Sequence, residues 1–377
     1  MMDLYNYLNM KVLIIVDNFQ GGAGNIAQIL SESLVDRGYS VALALTDNPT
    51  SFSQRRYMLS HVDLIYLPIE KANNKIKLLH QLITSKLKLM QEVKPGIVIS
   101  FVTHTNIIST IAAKRLSLPI IVSERSNPIV RKESFPWNFL QKVTYKRADR
   151  IAVQFECFKN FLSNIRHENY VCLPNIVLEN KGYKTNYVRD RVFKVVAVGN
   201  LRPIKNYFGM LEIIKEAKQR GLNIKLDVYG IGSQKEEIVR KILEMHLDDT
   251  VYLNGHIQNI HEILPQYDCY FMTSFQEGFP NGLSEAMASG LPCIVYKCHD
   301  GFEELINTGQ NGFLVPFGDI QEFVDDLEKL YADESLRSYI GNNARQISQK
   351  YSIGKVVDLW VECIEDVKSQ YEKTKRD

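Results

Sequence analysis

The 377-residue sequence has no apolar run approaching the roughly 18–20 residues that span a bilayer. It has no C-x-x-C pair, no D-x-D, no H-E-x-x-H and no cluster of cysteine with histidine. It shows no short-period repeat and no low-complexity tract. These absences exclude a membrane-spanning helix, a zinc ribbon, the common metalloprotease helix and a solenoid. They leave a chain that is soluble or sits on a membrane surface. Nothing in it calls for a bound metal. Its six cysteines, Cys157, Cys172, Cys269, Cys293, Cys298 and Cys363, are scattered, mostly in strand-like runs. They are expected as reduced thiols rather than a disulfide framework. Met1 to Met10 is polar and lacks a basic start with an apolar core, so no secretory signal is expected. Met10-Lys11-Val12-Leu13 has the look of a second start, with residues 1–9 a dispensable preamble.

The length suits two domains. With 23% charged and 10% aromatic residues the composition is that of an ordinary folded protein. The formal net charge of +2 hides an asymmetry: residues 1–175 carry +8 and the remainder −6. A basic half joined to an acidic half implies different partners for each.

Short β-branched runs alternate with helix-length amphipathic stretches. Strands are expected at Val12–Val16, Val41–Leu45, Ile97–Phe101, Ile120–Ser123 and Ile151–Gln154. After an aperiodic polar stretch, Leu178–Arg191, the pattern restarts at Lys194–Val198, Ile224–Tyr229, Val251–Leu253, Cys269–Met272 and Cys293–Tyr296. Doubly apolar strands separated by helices predict parallel β/α units with right-handed crossovers. The fold class is therefore α/β, with two doubly wound Rossmann-like domains over 1–178 and 192–352. A helix near Val356–Ser369, within 353–377, could pack on either. Two such domains facing each other would place ligands in a cleft at the carboxyl ends of their strands.

After the first strand, residues 22–27 of Gly21-Gly22-Ala23-Gly24-Asn25-Ile26-Ala27 satisfy G-x-G-x-x-G/A, and Asp47 follows about 20 residues later. A dinucleotide fingerprint needs its first glycine close behind the strand, and here residues 17–20 intervene. Three readings stand: a dinucleotide site, a helix N-terminus whose amides at Gly22 meet an anion or sugar, and a plain tight turn.

The second half carries Gln276-Glu277-Gly278-Phe279-Pro280-Asn281-Gly282-Leu283-Ser284-Glu285-Ala286-Met287-Ala288-Ser289-Gly290 directly behind the strand Cys269–Met272. Gly278, Pro280 and Gly282 mark a loop. Leu283–Ser289 is expected as a helix, with Asn281 its N-cap and Gly290 its stop. The helix start offers unpaired amides to a phosphate. Glu277 on the loop and Glu285 in the helix can contact different parts of one extended ligand. The alternative for either glutamate alone is helix-dipole complementarity.

This segment, with Glu277-x7-Glu285 and Ala-Met-Ala-Ser-Gly-Leu-Pro-Cys behind it, resembles the signature of family 4 retaining glycosyltransferases of the GT-B fold. Val198–Asn206, Tyr229–Gly232, Leu253–His256 and Asn311–Pro316 agree in order and spacing. Gly21-Gly22-Ala23 and Ile121–Pro128 resemble bacterial members that build O-antigens, capsules and lipid-linked oligosaccharides. The resemblance implies that Glu285 accepts hydrogen bonds from the ribose of a nucleotide sugar, most readily a UDP-sugar, and that Glu277 contacts the donor sugar. It implies that Lys205 and Arg202 neutralise the departing diphosphate, and that the Phe279–Leu283 amides hold sugar and phosphate. It places donor binding in the second domain and the acceptor in the first. The family often carries arginine where this chain has Asn200, with Arg202 the candidate substitute. A solvated loop lysine is the alternative for Lys205.

In the first half, His104 ends a strand at the expected cleft, where family members contact the donor sugar; a structural histidine is the alternative. Glu124 and Arg125 end the next strand. Arg125 could bind an acceptor phosphate bidentately, or pair with a glutamate or a carbonyl. Around Lys71 to Lys94, lysines at 75, 77, 86 and 88 accompany Ile76, Leu79, Ile83, Leu87 and Met90 at helical spacing. Phe139–Arg147 adds aromatic and basic residues. These stretches suit either anionic lipid or an ordinary crossover helix with solvated lysines. No nucleic-acid module appears. The expected protein transfers a sugar to a lipid-linked or saccharide acceptor at the cytoplasmic face of the inner membrane, without cofactor or metal. Other readings are an NAD-dependent oxidoreductase using Gly22–Ala27, a nucleotide-sugar epimerase or phosphorylase, and a degenerate non-catalytic subunit.

Overall fold

The computed structural model describes residues 10–19, 21–46, 61–67, 74–128, 134–160, 167–188 and 191–376. Residues 1–9, Asp47 and Lys71, and the side chains of Lys75 and Ile76, lie outside that description. The chain divides into two units, Met1–Asn175 with Ile353–Asp377, and Ile176–Ser352.

The first unit is built on β1 (Lys11–Val16), β2 (Ser40–Leu45), β3 (Asp63–Tyr66), β4 (Ile97–Phe101), β5 (Ile120–Ser123), β6 (Arg150–Val153) and β7 (Tyr170–Cys172). All pair in parallel, in the order β3-β2-β1-β4-β5-β6-β7. Val12–Ile15 and Ile97–Ile99 are fully buried, as strands covered by helices on both faces require. The helices include α1 (Gly21–Asp36), α2 (Lys75–Val93), α3 (Thr103–Arg115) and α4 (Trp137–Tyr145).

The second unit repeats the plan with β8 (Phe193–Val198), β9 (Ile224–Tyr229), β10 (Val251–Gly255), β11 (Cys269–Met272), β12 (Cys293–Tyr296) and β13 (Phe313–Val315). Its parallel order is β10-β9-β8-β11-β12-β13. Helices α5 (Tyr207–Gln219) and α6 (Asn281–Ala288) follow β8 and β11. In both sheets the winding direction reverses beside the first strand, between β1 and β4 and between β8 and β11. Loops leaving those two strands diverge, so each unit has a crevice at its own switch point.

The last helix, α7 (Ile353–Arg376), returns to the first unit. Val357, Trp360, Ile364 and Val367 form its buried face, and the Trp360 ring lies 5.9 Å from that of Phe101. Asp366 pairs with Arg150, and Asp358 with Arg37 at 2.5 Å.

Helix α2 differs from its sequence-based reading. Leu89 and Met90 are buried, as a crossover helix demands, but so is Lys86, at 2% exposure. Its Nζ has no hydrogen-bond partner among the described residues, and burial lowers its pKa to about 8 against a weaker pull from Asp17. The folded pKa lies below the ordinary lysine value, so the charged form is penalised in full below pH 8, and the penalty fades as pH rises further. Lys86→Met is expected to stabilise the protein by about 2 kcal/mol at pH 7 in chemical denaturation, with the gain narrowing above pH 8. An unchanged or lower stability would show that the ammonium is satisfied.

Candidate functional site

In the second unit the loops leaving β8, β9 and β10 are laced by backbone hydrogen bonds. Gly199 N donates to Tyr229 O (3.0 Å), Leu201 N to Ile231 O (3.0 Å) and Gly230 N to Gly255 O (2.8 Å). The strands approach so closely that a Cβ on Gly230 would lie 1.8 Å from Gly199 O, and one on Gly232 2.2 Å from Leu201 O. This lacing fixes the turn that presents Lys205. Asn206, in the left-handed region at φ 52°, closes the turn and accepts from Gly209 N to start α5.

The loop behind β11 is fastened to the same turn. Thr273 Oγ1 donates to Asn206 O (2.9 Å), and Phe275 N to Ile204 O (2.8 Å). This brings Glu277 to Lys205: Lys205 Nζ and Ser274 Oγ both donate to Glu277 Oε1 at 2.6 Å. Both ends of the pair are partly open, with side-chain exposures of 25% and 11%. A cation held by a carboxylate at a switch-point crevice can meet an incoming anion without first being desolvated alone.

Helix α6 begins behind Pro280, and no side chain caps it. Its first backbone bond is Ser284 N to Pro280 O (3.0 Å), and the Gly282 and Leu283 amides have no backbone acceptor among the described residues. The expected N-cap, Asn281, is instead the first helical residue. An uncapped start leaves its amides and positive dipole end for a ligand. Gly290, at φ +77°, ends the helix as expected. Gly282 is needed for closeness: a Cβ there would lie 2.8 Å from the Tyr270 hydroxyl.

Glu285 sits in the second turn of α6. No hydrogen bond or ion pair reaches its carboxyl group among the described residues, and burial pushes its pKa up to about 7. The Tyr270 hydroxyl lies within the electrostatic reach of both Glu277 and Glu285. Glu285 is half-buried, so its carboxylate is partly desolvated yet still open to the hydroxyls of a ligand.

The other expected donor residues divide by environment. Arg202 is exposed at the loop's rim, and Gly278 is half-buried. Phe279 is buried edge-on against Tyr351 (5.5 Å), and Leu283 is fully buried, so only their backbones face a ligand. Sequence reasoning overlooked His299, behind β12. Its Nδ1 accepts from Gly301 N (3.1 Å), and burial lowers its pKa against the opposing pull of the Gly278 and Glu277 carbonyls. Its position at a strand's carboxyl end was the available signal.

In the first unit α1 starts at Gly21, four residues beyond β1. Gly22 lies half-exposed in its first turn. A Cβ on Gly24 would strike Asn18 O at 2.4 Å, so the third glycine serves packing of helix on loop. At the end of β4, Val102 adopts φ 74°, a conformation strained for a β-branched residue. This bend swings His104 into the first turn of α3, where its ring meets Trp137 at 4.3 Å between centroids.

Glu124, 2% exposed, accepts from Thr103 Oγ1 (2.9 Å), Ser126 Oγ (2.8 Å) and Tyr145 OH (2.8 Å). It ties β5 to α3 and α4 and positions the residue before His104. Arg125 donates to Ser123 Oγ (2.7 Å), Leu173 O (3.0 Å) and Asn175 Oδ1 (2.9 Å), and its guanidinium lies 5.3 Å from the Phe101 ring centre and 5.6 Å from that of Trp360. Burial lowers its pKa. Most donors and acceptors of this pair are spent inside the unit, as the alternative reading has it, while Arg125 Nη2 has no partner among the described residues.

Residues 184–347, within the second unit, match the family described as glycosyl transferases group 1. Over 365 residues the chain is 24% identical to a Campylobacter jejuni GalNAc-alpha-(1->4)-GalNAc-alpha-(1->3)-diNAcBac-PP-undecaprenol alpha-1,4-N-acetyl-D-galactosaminyltransferase, covering 96% of this chain and 99% of that protein. It is 26% identical to the amylovoran biosynthesis glycosyltransferase AmsD of Erwinia amylovora, covering 93% and 98%. Among solved structures, Anabaena HepE in complex with UDP-glucose superimposes with a TM-score of 0.79 at 19% identity, over 95% of this chain and 100% of that one. The fold is thus that of GT-B glycosyltransferases: two parallel-sheet, Rossmann-like α/β units.

Proposed function

We propose that this chain is a retaining glycosyltransferase of the family 4 kind, taking a sugar from a UDP-sugar and passing it to a lipid-linked saccharide during cell-surface polysaccharide or oligosaccharide synthesis. The observation that carries the reading is the unpartnered Glu285 carboxyl group on α6, with the Lys205–Glu277 pair on the loop that leads into that helix and the helix N-terminus uncapped. Glu285 would take the ribose hydroxyls. Lys205, Arg202 and the Gly282 and Leu283 amides would hold the diphosphate and stabilise its charge as it leaves, which is the work a metal would otherwise do. Glu277 would face the sugar carbon as that carbon becomes cationic. The departing diphosphate would take the proton of the attacking hydroxyl. The first unit, with His104 at its switch point, would hold the acceptor side. The name of the Campylobacter relative, with its PP-undecaprenol substrate, supports an acceptor on a polyprenyl diphosphate, and with such an acceptor the work would lie at the cytoplasmic face of the inner membrane.

Calorimetric titration of UDP, GDP, ADP and NAD into the wild type and Glu285→Gln tests this reading. UDP is expected to bind preferentially, and the variant to bind it about 10–150-fold more weakly, the loss of a charge-assisted hydrogen bond. Binding of NAD without UDP would return the Gly22–Ala27 loop to the centre. Because the folded pKa is raised to about 7, Glu285 is a full acceptor only above that pH. Affinity for a UDP-sugar, whose diphosphate diester does not titrate near neutrality, is expected to rise from pH 6 to pH 8 and then level. Glu285→Gln is expected to give a flat profile.

A further inference from the structure

On α2 the apolar residues are only half open to solvent: Leu89 and Met90 are buried, and Leu79, Ile83 and Leu87 are half-buried. Helix α4 is different. Phe135, just before it, is 81% exposed, and Phe139 and Val143 within it are 59% and 36% exposed. Phe139 and Val143, four residues apart, lie one turn above the other on one face of the helix, and Phe135 stands on the turn that leads into it. Lys142, Lys146 and Arg147 beside the ridge are all exposed, and Ser134–Ala148 contains no acidic residue. The opposite side of α4 holds the helix in place through Thr144 and Tyr145, both buried, and Trp137, which stacks on His104.

We propose that the Phe139–Val143 ridge of α4, with Phe135 on the turn before it, is the surface by which this protein docks on an anionic lipid bilayer. Two bulky phenyl rings in water are unfavourable, and an interface accepts them while the three cations meet lipid headgroups. Charge complementarity selects lipid over a second copy, because two such ridges would bring like charges together. The docked helix carries Trp137 on its inner side, against His104 of α3, so the crevice of the first unit lies toward the bilayer. This deepens the lipid-linked acceptor reading and rests on it for its purpose, though not for its measurement.

The test is co-sedimentation of the full chain with phosphatidylcholine vesicles containing about 30 mol% phosphatidylglycerol, against pure phosphatidylcholine. The wild type is expected on the anionic vesicles only, and to leave them at about 0.5 M salt. Phe135→Ser/Phe139→Ser is expected to lose roughly 30-fold or more of this binding, since each ring is worth about tenfold. Lys142→Glu/Lys146→Glu, with the rings intact, is expected to lose it as well. UDP titration of the same variants should match the wild type, which shows that the protein is folded. Failure of the wild type to bind anionic vesicles, or equal binding by the ring variant, overturns the proposal. So does a wild-type dimer that the ring substitutions dissociate. If UDP does not bind even the wild type, the transferase reading fails while the vesicle result stands by itself.

Discussion

Replacing Glu277 with glutamine is expected to slow release of UDP from the nucleotide sugar by about 10²–10³-fold while changing UDP affinity only a few-fold. The substitution keeps the side chain's size and an acceptor oxygen for Ser274, so the loop behind β11 should hold. What disappears is charge. As the bond to the diphosphate breaks, the sugar carbon gains positive character, and a nearby carboxylate stabilises that state more than it does the intact donor. Interactions of this kind act on turnover rather than on binding. Lys205 points the same way: bonded at 2.6 Å to a charged partner in the wild type, it is left with a neutral one in the variant. An ammonium freed of its counterion should hold a diphosphate at least as well. The measurement is single-turnover UDP release beside calorimetric UDP binding. Near-normal turnover would remove Glu277 from the reaction, and parallel loss of binding would make it a structural anchor of Lys205.

Much of this architecture could be read from residue order. Ten strands were legible because strands covered on both faces must be apolar throughout, as Val12–Val16 and Cys293–Tyr296 are. The strands that escaped notice, Asp63–Tyr66, Tyr170–Cys172 and Phe313–Val315, are edge strands of three or four residues. Such segments carry too few residues for a period to declare itself. Glu277 and Glu285 were legible because a Gly/Pro loop behind a strand and ahead of a helix can face only one end of the sheet. Lys86 was misread because a lysine close to other cations in sequence looks solvated, and only the packing of α2 reveals its burial. Val102 carries no signal at all: valine is the residue least expected at positive φ, and the bend is imposed by its surroundings. Glu124 and Arg125 stand at the right end of β5, but residue type cannot tell a donor aimed at a ligand from one spent on Leu173 O.

Gly230→Ala is expected to destabilise the second unit by ~3 kcal/mol or more and to abolish nucleotide binding in whatever remains folded. The obstacle is backbone rather than a side chain that could rotate away. The added Cβ would sit 1.8 Å from Gly199 O and 2.8 Å from Gly199 C. Gly199 cannot retreat without breaking its bond to Tyr229 O, nor can Gly230 without breaking its bond to Gly255 O. Any displacement passes along Asn200–Arg202 into the turn that carries Lys205. Gly354, in the first turn of α7, gives the contrast: a Cβ added there would meet nothing within 4 Å, and an exposed helical glycine gains from the change. Gly354→Ala should therefore stabilise the protein by about 0.5–1 kcal/mol. Urea denaturation of both variants, with UDP titration at low urea, compares the same added methyl group with opposite expected signs. A mild cost at Gly230 with UDP affinity intact would mean that the loops of β8 and β9 can separate, and that the lacing does not hold Lys205 in place.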